Sequence, residues 1–437
     1  MKRQKICIVS GILFFTALGT CAQEELKIAP VFSGYTSFEA SELVKGYVSI
    51  ANSGNAGPVI SPFWMENAKV GIINDAAIGS HLHIITAIEG KLGFCLTTDY
   101  STFNGDIPSQ QPKWDFSIQQ GKGLYSFGDP ETPILEIEAG YFSYKYDHAV
   151  RNLGEYLFRS FCYPASVLNT FDRPYADLLG LRIGDSFRLP VGVLHHDFLL
   201  TSETKYYPLK DFSVSELADY TLSRIFSVGA GVSLYRLLPV HLYTSDPSHL
   251  KSTYNRYIDS TTMDTAYYSF SGTKLMVRLS FDIKGIIPMD FLGSEDLKIY
   301  GEAAILGLKN YPGYYANIGE RIPMMVGFNF PTFRIFDVLN LELEFQETKK
   351  PNGISNTFYS PWCPIPELEI PDNPREKLKW SLYARKKIGG NLSIIGQVAN
   401  DHLMPENYSS TERHQLLSDV TLRHGDWWWV LKARFDY

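Results

Sequence analysis

The sequence predicts an all-β chain that closes into a transmembrane antiparallel β-barrel of about 16 strands, with 14 or 18 as even-numbered alternatives. Three observations carry this. In the last eleven residues, Trp427, Trp429, Leu431, Ala433, Phe435 and Tyr437 fall on one face, and Trp428, Val430, Lys432, Arg434 and Asp436 on the other. A tilted strand crosses a bilayer with about 9–11 residues, and aromatic rings at its ends suit the two membrane interfaces. Next, the chain holds 27 Phe and 27 Tyr, yet after its start no apolar run reaches the roughly 18 residues of a membrane helix. Alternating lipid-facing and water-facing residues would produce that profile. Last, short and long connections alternate, the asymmetry of a barrel with tight turns at one rim and long loops at the other.

Met1 to Lys5 carry three positive side chains, Ile6 to Gly19 form a short apolar run, and Thr20-Cys21-Ala22 offers a small-residue cleavage site. Residues 1–22 therefore read as a secretory signal peptide cleaved near Ala22. Thr20 before Cys21 makes a poor lipoprotein box. Residues 23–437 read as one barrel domain, because no internal repeat, low-complexity run or linker divides them. Its segment 23–44 is expected as an irregular or partly stranded lead-in. Beyond the leader only Cys95, Cys162 and Cys363 remain, an odd, scattered set that argues against a disulfide framework and for small apolar residues. A formal net charge of −7 argues against a nucleic-acid partner, which would call for a basic surface.

The period-two pattern recurs along the chain. Leu82, Ile84, Thr86 and Ile88 oppose His83, Ile85, Ala87 and Glu89, and Leu135, Ile137 and Ala139 oppose Glu136, Glu138 and Gly140. Leu275 to Ile283, Leu297 to Ile305, Leu339 to Phe345 and Leu378 to Ala384 alternate in the same way. These are strands with one apolar face. Short links fall at Asn74–Ser80, Gly128–Thr132, Asp185–Pro190 and Lys387–Gly390. Long ones fall at 53–62, 101–113, 145–174, 208–217, 245–264, 349–376 and 401–426, with 349–376 and 401–426 expected as long extracellular loops. A barrel of about 16 strands is too wide for its own side chains to fill.

The most informative connection is 145–174. Arg151, Glu155 and Arg159 lie four apart and would stack on one side of a short helix, with Leu153, Leu157 and Phe161 on another, until Pro164 ends it. Long loops with internal order are usually functional. Gly140-Tyr141-Phe142 followed by Phe158-Arg159-Ser160 resembles the corresponding passage of phosphate-selective-type porins. The closing aromatic, Tyr437, is similar to the assembly signal of bacterial outer-membrane barrels. The resemblance covers about 40 residues and implies architecture: a porin-like barrel whose loop folds inward to narrow it. It does not imply phosphate as the solute, since no dense ladder of lumen-facing Arg and Lys accompanies it. On this reading Arg151, Glu155 and Arg159 face water at the pore constriction, because charged side chains at a narrowing discriminate between ions. The alternative is a salt-bridge ladder bracing the loop on the wall, worth ~0.3–0.5 kcal/mol per pair.

Inward-facing charges are expected at Lys379, Arg385, Lys432 and Arg434, a basic arc, and at Glu342, Glu344, Glu136 and Glu138, acidic arcs. Together they would set a transverse field in the lumen, or simply solvate it. No nucleophile elbow, phosphate-cradling glycine loop or zinc-protease motif is present. In His195-His196-Asp197 alternation splits the trio between faces. No catalytic residue, metal or cofactor is expected, and the chain is not read as an enzyme. The expected function is a porin-like channel of the cell outer membrane, passing small hydrophilic solutes or ions by diffusion. The alternative is a surface-polysaccharide-binding barrel, for which Tyr359 and Trp362 in 351–374 would supply stacking aromatics. Expected partners are outer-membrane lipid, the barrel-assembly machinery and small polar solutes, with a homo-oligomer left open.

Overall fold

The computed structural model describes residues 28–52, 55–60, 63–97, 113–130, 132–159, 169–170, 175–202, 212–223, 225–238, 254–258, 263, 265–269, 271–286, 289, 291–308, 317–347, 377–401, 403–404 and 425–437. Its main sheet runs through β1 (Ile28–Lys45), β2 (Phe63–Ile78), β3 (Leu82–Thr97), β4 (Lys113–Asp129) and β5 (Thr132–Tyr144). It continues through β6 (Ala176–Leu189), β7 (Gly192–Ser202), β8 (Phe212–Leu222), β9 (Phe226–Leu238) and β10 (Gly272–Asp282). It ends with β11 (Lys298–Ile305), β12 (Met324–Asn329), β13 (Val338–Phe345), β14 (Leu378–Ile388), β15 (Leu392–Ala399) and β16 (Trp427–Asp436). Each strand pairs antiparallel with its sequence neighbours, and β16 returns to pair with β1, as in Thr36 opposite Phe435. These 16 strands form a closed barrel. Closure removes the free edges that an open sheet would leave unpaired in lipid.

Alternation decides which side each residue takes. Outward, Leu431 is 53% exposed, Val277 58% and Ile88 55%, whereas the inward Glu342, Glu302 and Lys379 are all at 3% or less. A surface that is apolar outside and charged inside inverts a soluble protein and fits a barrel in lipid. At the long-loop rim Trp64 and Trp429 meet edge to face, 5.4 Å apart. Their indole N–H groups donate to Glu66 at 2.8 Å and Glu42 at 3.1 Å, the wet end and dry body that an interface requires. At the opposite rim Tyr437 closes the ladder through its N–H and C=O to Gly34 at 2.9 and 2.8 Å.

Of residues 23–44, expected as an irregular or partly stranded lead-in, the described part, 28–44, is regular strand and supplies most of β1, which is 18 residues long. Pro30, Gly34 and the inward Ser37, Glu39 and Ser41 hide its pattern, which Phe32 and Phe38 carry on the outer face. The link expected over 208–217 is shorter, because β8 begins at Phe212. One connection at the short-turn rim is long: 283–297 between β10 and β11. It opens with a 3-10 turn, Ile283–Gly285, and carries the buried Leu292 and Asp296. Asp296 accepts from the N–H of Gly293 at 2.9 Å and of Thr332 at 3.0 Å. Residues 1–27, all of 349–376 with Tyr359 and Trp362, and most of 401–426 lie outside the described residues.

Leu431 lies midway along β16 on the lipid face, so Leu431→Arg is expected to cost roughly 2–4 kcal/mol in denaturant titrations of the barrel refolded in vesicles. A cost below about 0.5 kcal/mol would contradict the membrane placement of this face.

Candidate functional site

The loop after β5 runs into the barrel. Val150, Leu153, Tyr156 and Leu157 are all at 2% exposure or less, packed in one cluster with Leu199 of β7, Leu217 of β8, Met276 of β10, Tyr300 of β11 and Met325 of β12. The lumen of one sector is thus a small hydrophobic core, with the loop on one side and the inner wall on the other. The segment is not the continuous helix that the four-residue spacing predicts. Among the described residues of the loop only α1 (Tyr156–Arg159) is helical, and Gly154 and Glu155 precede it at φ 84° and 63°. Gly154 at φ 84° holds a backbone conformation that glycine adopts without strain, and a Cβ there would also press on Met325 Cε at 2.7 Å and Glu302 Oε2 at 3.1 Å.

A buried, non-helical segment carries backbone N–H groups that must find acceptors. Two wall carboxylates provide them. Glu342 of β13 accepts the N–H of Arg151 at 2.5 Å, of Asn152 at 2.8 Å and of Leu153 at 2.7 Å, and the Tyr300 hydroxyl at 2.6 Å. Glu302 of β11 accepts the N–H of Glu155 at 2.8 Å and of Tyr156 at 2.9 Å, and the Tyr146 hydroxyl at 2.6 Å. Successive N–H groups converging on one anion form the nest that turns with positive φ create. The Tyr156 hydroxyl donates to Glu344 at 2.8 Å, the Lys274 ammonium to the Leu157 carbonyl at 3.2 Å, and the Asn152 amide to Asp401. Arg278 spans Asp147 at 3.3 Å and Asp219 of β8 at 2.8 Å.

Arg151, Glu155 and Arg159 do not form one stack. Arg151 reaches Glu295 at 3.0 Å, joining the loop to the inward connection 283–297 from the other rim. Arg159 is buried and donates to the Asn152 carbonyl. Glu155 is fully buried, accepts the Asp147 N–H at 2.7 Å through Oε1, and leaves Oε2 without a hydrogen-bond partner among the described residues. Burial pushes its carboxyl up to about 8, against the pull of Arg159 and Lys145. Burial likewise pushes Lys145, whose ammonium donates to the Val150 carbonyl at 2.7 Å, down to about 8.

The eight charges expected inward from alternation are buried or half-buried, and they are interleaved. Glu344 stands opposite Lys379 on the neighbouring strand. Glu138 meets Lys122 at 2.7 Å and Arg182 at 3.4 Å, and Arg182 also reaches Glu136 at 3.5 Å and Asp197 at 2.8 Å. Lys432 lies 4.0 Å from Glu39, and Arg434 binds Asp436 at 2.8 Å while stacking 3.9 Å over the Tyr35 ring. Arg385 alone of the eight has neither hydrogen bond nor ion pair on its side chain among the described residues. A transverse field from separate basic and acidic arcs is thereby largely cancelled between neighbours. His195 and Asp197 share the inner face and His196 takes the outer one, where it lies 3.1 Å from Glu216. The His195 ring pairs with Ser186 at 2.7 Å, without a carboxylate behind it among the described residues.

Sequence reasoning missed Glu302, Asp147, Asn152 and Tyr156 as members of this site. Glu302 was visible as an inward residue of an alternating strand, but nothing local to it says what it binds. No family model and no curated protein matches the chain. Among solved structures it is similar to a mutant Rh. blastica porin, at 8% identity and TM-score 0.40 over 94% of this chain and 100% of that one. It is also similar to the high-pH structure of Pseudomonas putida OprB, at 10% identity and TM-score 0.48 over 97% of this chain and 96% of that one. Such likenesses carry nothing about solute or mechanism.

Released into water, Glu155 titrates at its ordinary 4.5; seated, it holds its proton to about 8. Its contribution to seating is therefore complete below 4.5 and lost as pH rises toward 8. Lys145 acts at higher pH and with the opposite sign, favouring the seated loop as pH climbs from about 8 to 10.5. Hydrogen-exchange protection of the 152–156 amides, corrected for intrinsic rates, is expected to fall by up to about tenfold per pH unit between 5 and 7.5. Glu155→Gln should make the fall shallower. A wild-type profile that is flat would remove Glu155 from this role.

Proposed function

We propose that the chain is a porin-like channel of the outer membrane, passing small hydrophilic solutes or ions by diffusion beside an inward-folded loop. One observation carries the reading: a closed barrel of 16 strands whose inner wall is polar, with the described part of an inward loop seated against the wall from β7 to β13. Such a barrel encloses more space than its own side chains fill. The loop core uses β7, β8 and β10 to β12. Outside that core, the inward Glu136 of β5, Arg182 of β6 and Arg434 of β16 keep 22–35% of their side-chain surface exposed, as a wetted wall would. Arg151, bridged to Glu295, sits where the inward segments from the two rims meet and is the residue proposed to border the narrowing. Glu155 and Arg159 act behind it, as supports of the loop.

In this reading the apolar belt faces lipid, the short turns face the periplasm and the long loops face outward, with the barrel-assembly machinery and outer-membrane lipid as partners. Planar-bilayer recording tests it. The refolded protein is expected to open in steps, deletion of 147–159 to raise the unit conductance, and Arg151→Ala to change ion selectivity. A correctly folded barrel that stays silent in the bilayer would rule the channel out.

A further inference from the structure

At the short-turn end of the lumen a cavity of about 490 Å³ opens between the β12–β13 turn and the inner faces of β14 and β16. Arg334, Phe336, Asp337, Arg385, Lys387 and Asp436 line it. The volume falls in the range of small-molecule sites, roughly 300–1,000 Å³. Its charges are unequal in availability. Asp337 accepts the Lys387 N–H at 2.6 Å and lies 3.7 Å from the Lys386 ammonium, and Asp436 is held by Arg434 at 2.8 Å. The side chains of Arg385 and Lys387, two residues apart on the inner face of β14, make no hydrogen bond or ion pair among the described residues.

We infer that this vestibule is a binding subsite for small organic monocarboxylates with a flat or apolar body. The Arg385 fork matches a carboxylate in two parallel hydrogen bonds, and Lys387 adds a point charge beside it. Three cations against two carboxylates leave the lining at a formal +1, which suits a singly charged anion better than a dianion. Phe336, 38% exposed, offers the wall for the solute's body. Of the eight inward charges described above, the seven besides Arg385 are partnered, so an entering anion finds uncommitted donors here. The inference rests on the channel reading for its route, while binding is measured without it.

The probe is benzoate, followed by saturation-transfer NMR on the full chain refolded in detergent, with benzamide as its uncharged counterpart. Wild type is expected to bind benzoate and not benzamide. Arg385→Gln/Lys387→Gln should lose affinity by at least about tenfold, and Arg385→Lys should recover part of it. Circular dichroism of the double variant checks that the barrel is intact. Equal benzoate signals in wild type and double variant, equal signals from benzamide, or displacement of benzoate by inorganic phosphate more readily than by acetate would each overturn the subsite. Charge-dependent binding with a silent bilayer would leave the subsite standing and remove the channel. Open channels with charge-independent signals would do the reverse.

Discussion

The interior of this barrel depends on two carboxylates, Glu302 and Glu342, that take the backbone N–H groups of the inward loop as their ligands. The loop's turn at Gly154 and Glu155 leaves five N–H groups pointing at the wall. Without acceptors each buried donor would cost roughly 1–3 kcal/mol. With them, two otherwise unfavourable buried anions are solvated by protein dipoles. Each side makes the other tolerable. The apolar contacts of Val150, Leu153 and Leu157 then add burial, and Gly154 permits the close approach.

This arrangement also explains why the lumen is less polarised than its sequence suggests. Glu342 is consumed by the loop, Glu344 by Tyr156, and Glu136 and Glu138 by Lys122 and Arg182. A wall of alternating sign holds its side chains upright and lowers the cost of burying each charge. What remains uncommitted, at Arg385 and Lys387, stands out because the rest is matched.

Much of the barrel was legible in the sequence because alternation is a local property. The faces of Leu339–Phe345 and Trp427–Tyr437 follow from period two alone, and the strand count follows from the rhythm of short and long links. β1 escaped because proline, glycine and serine blur its period, and only pairing with β16 and β2 reveals it. The inward course of 145–159 was expected from the porin resemblance, and its length and amphipathic order marked it only as a loop with internal structure. Its partners were not: Glu302 and Glu342 lie 147 and 190 residues away in sequence from the N–H groups of Glu155 and Asn152. The spacing of Arg151, Glu155 and Arg159 suggested one helical stack, yet positive φ at two successive residues, which no periodicity encodes, sends them to three different partners.

The central claim is that these two carboxylates hold a constriction in an otherwise open lumen. Liposome swelling with sugars of increasing size tests it most directly, comparing wild type with Glu302→Ala/Glu342→Ala. The account predicts that wild-type vesicles admit monosaccharides and exclude larger oligosaccharides, and that the double variant admits the larger ones with the barrel still folded. Vesicles that stay osmotically tight to monosaccharides, or an unchanged size limit in the variant, would contradict it.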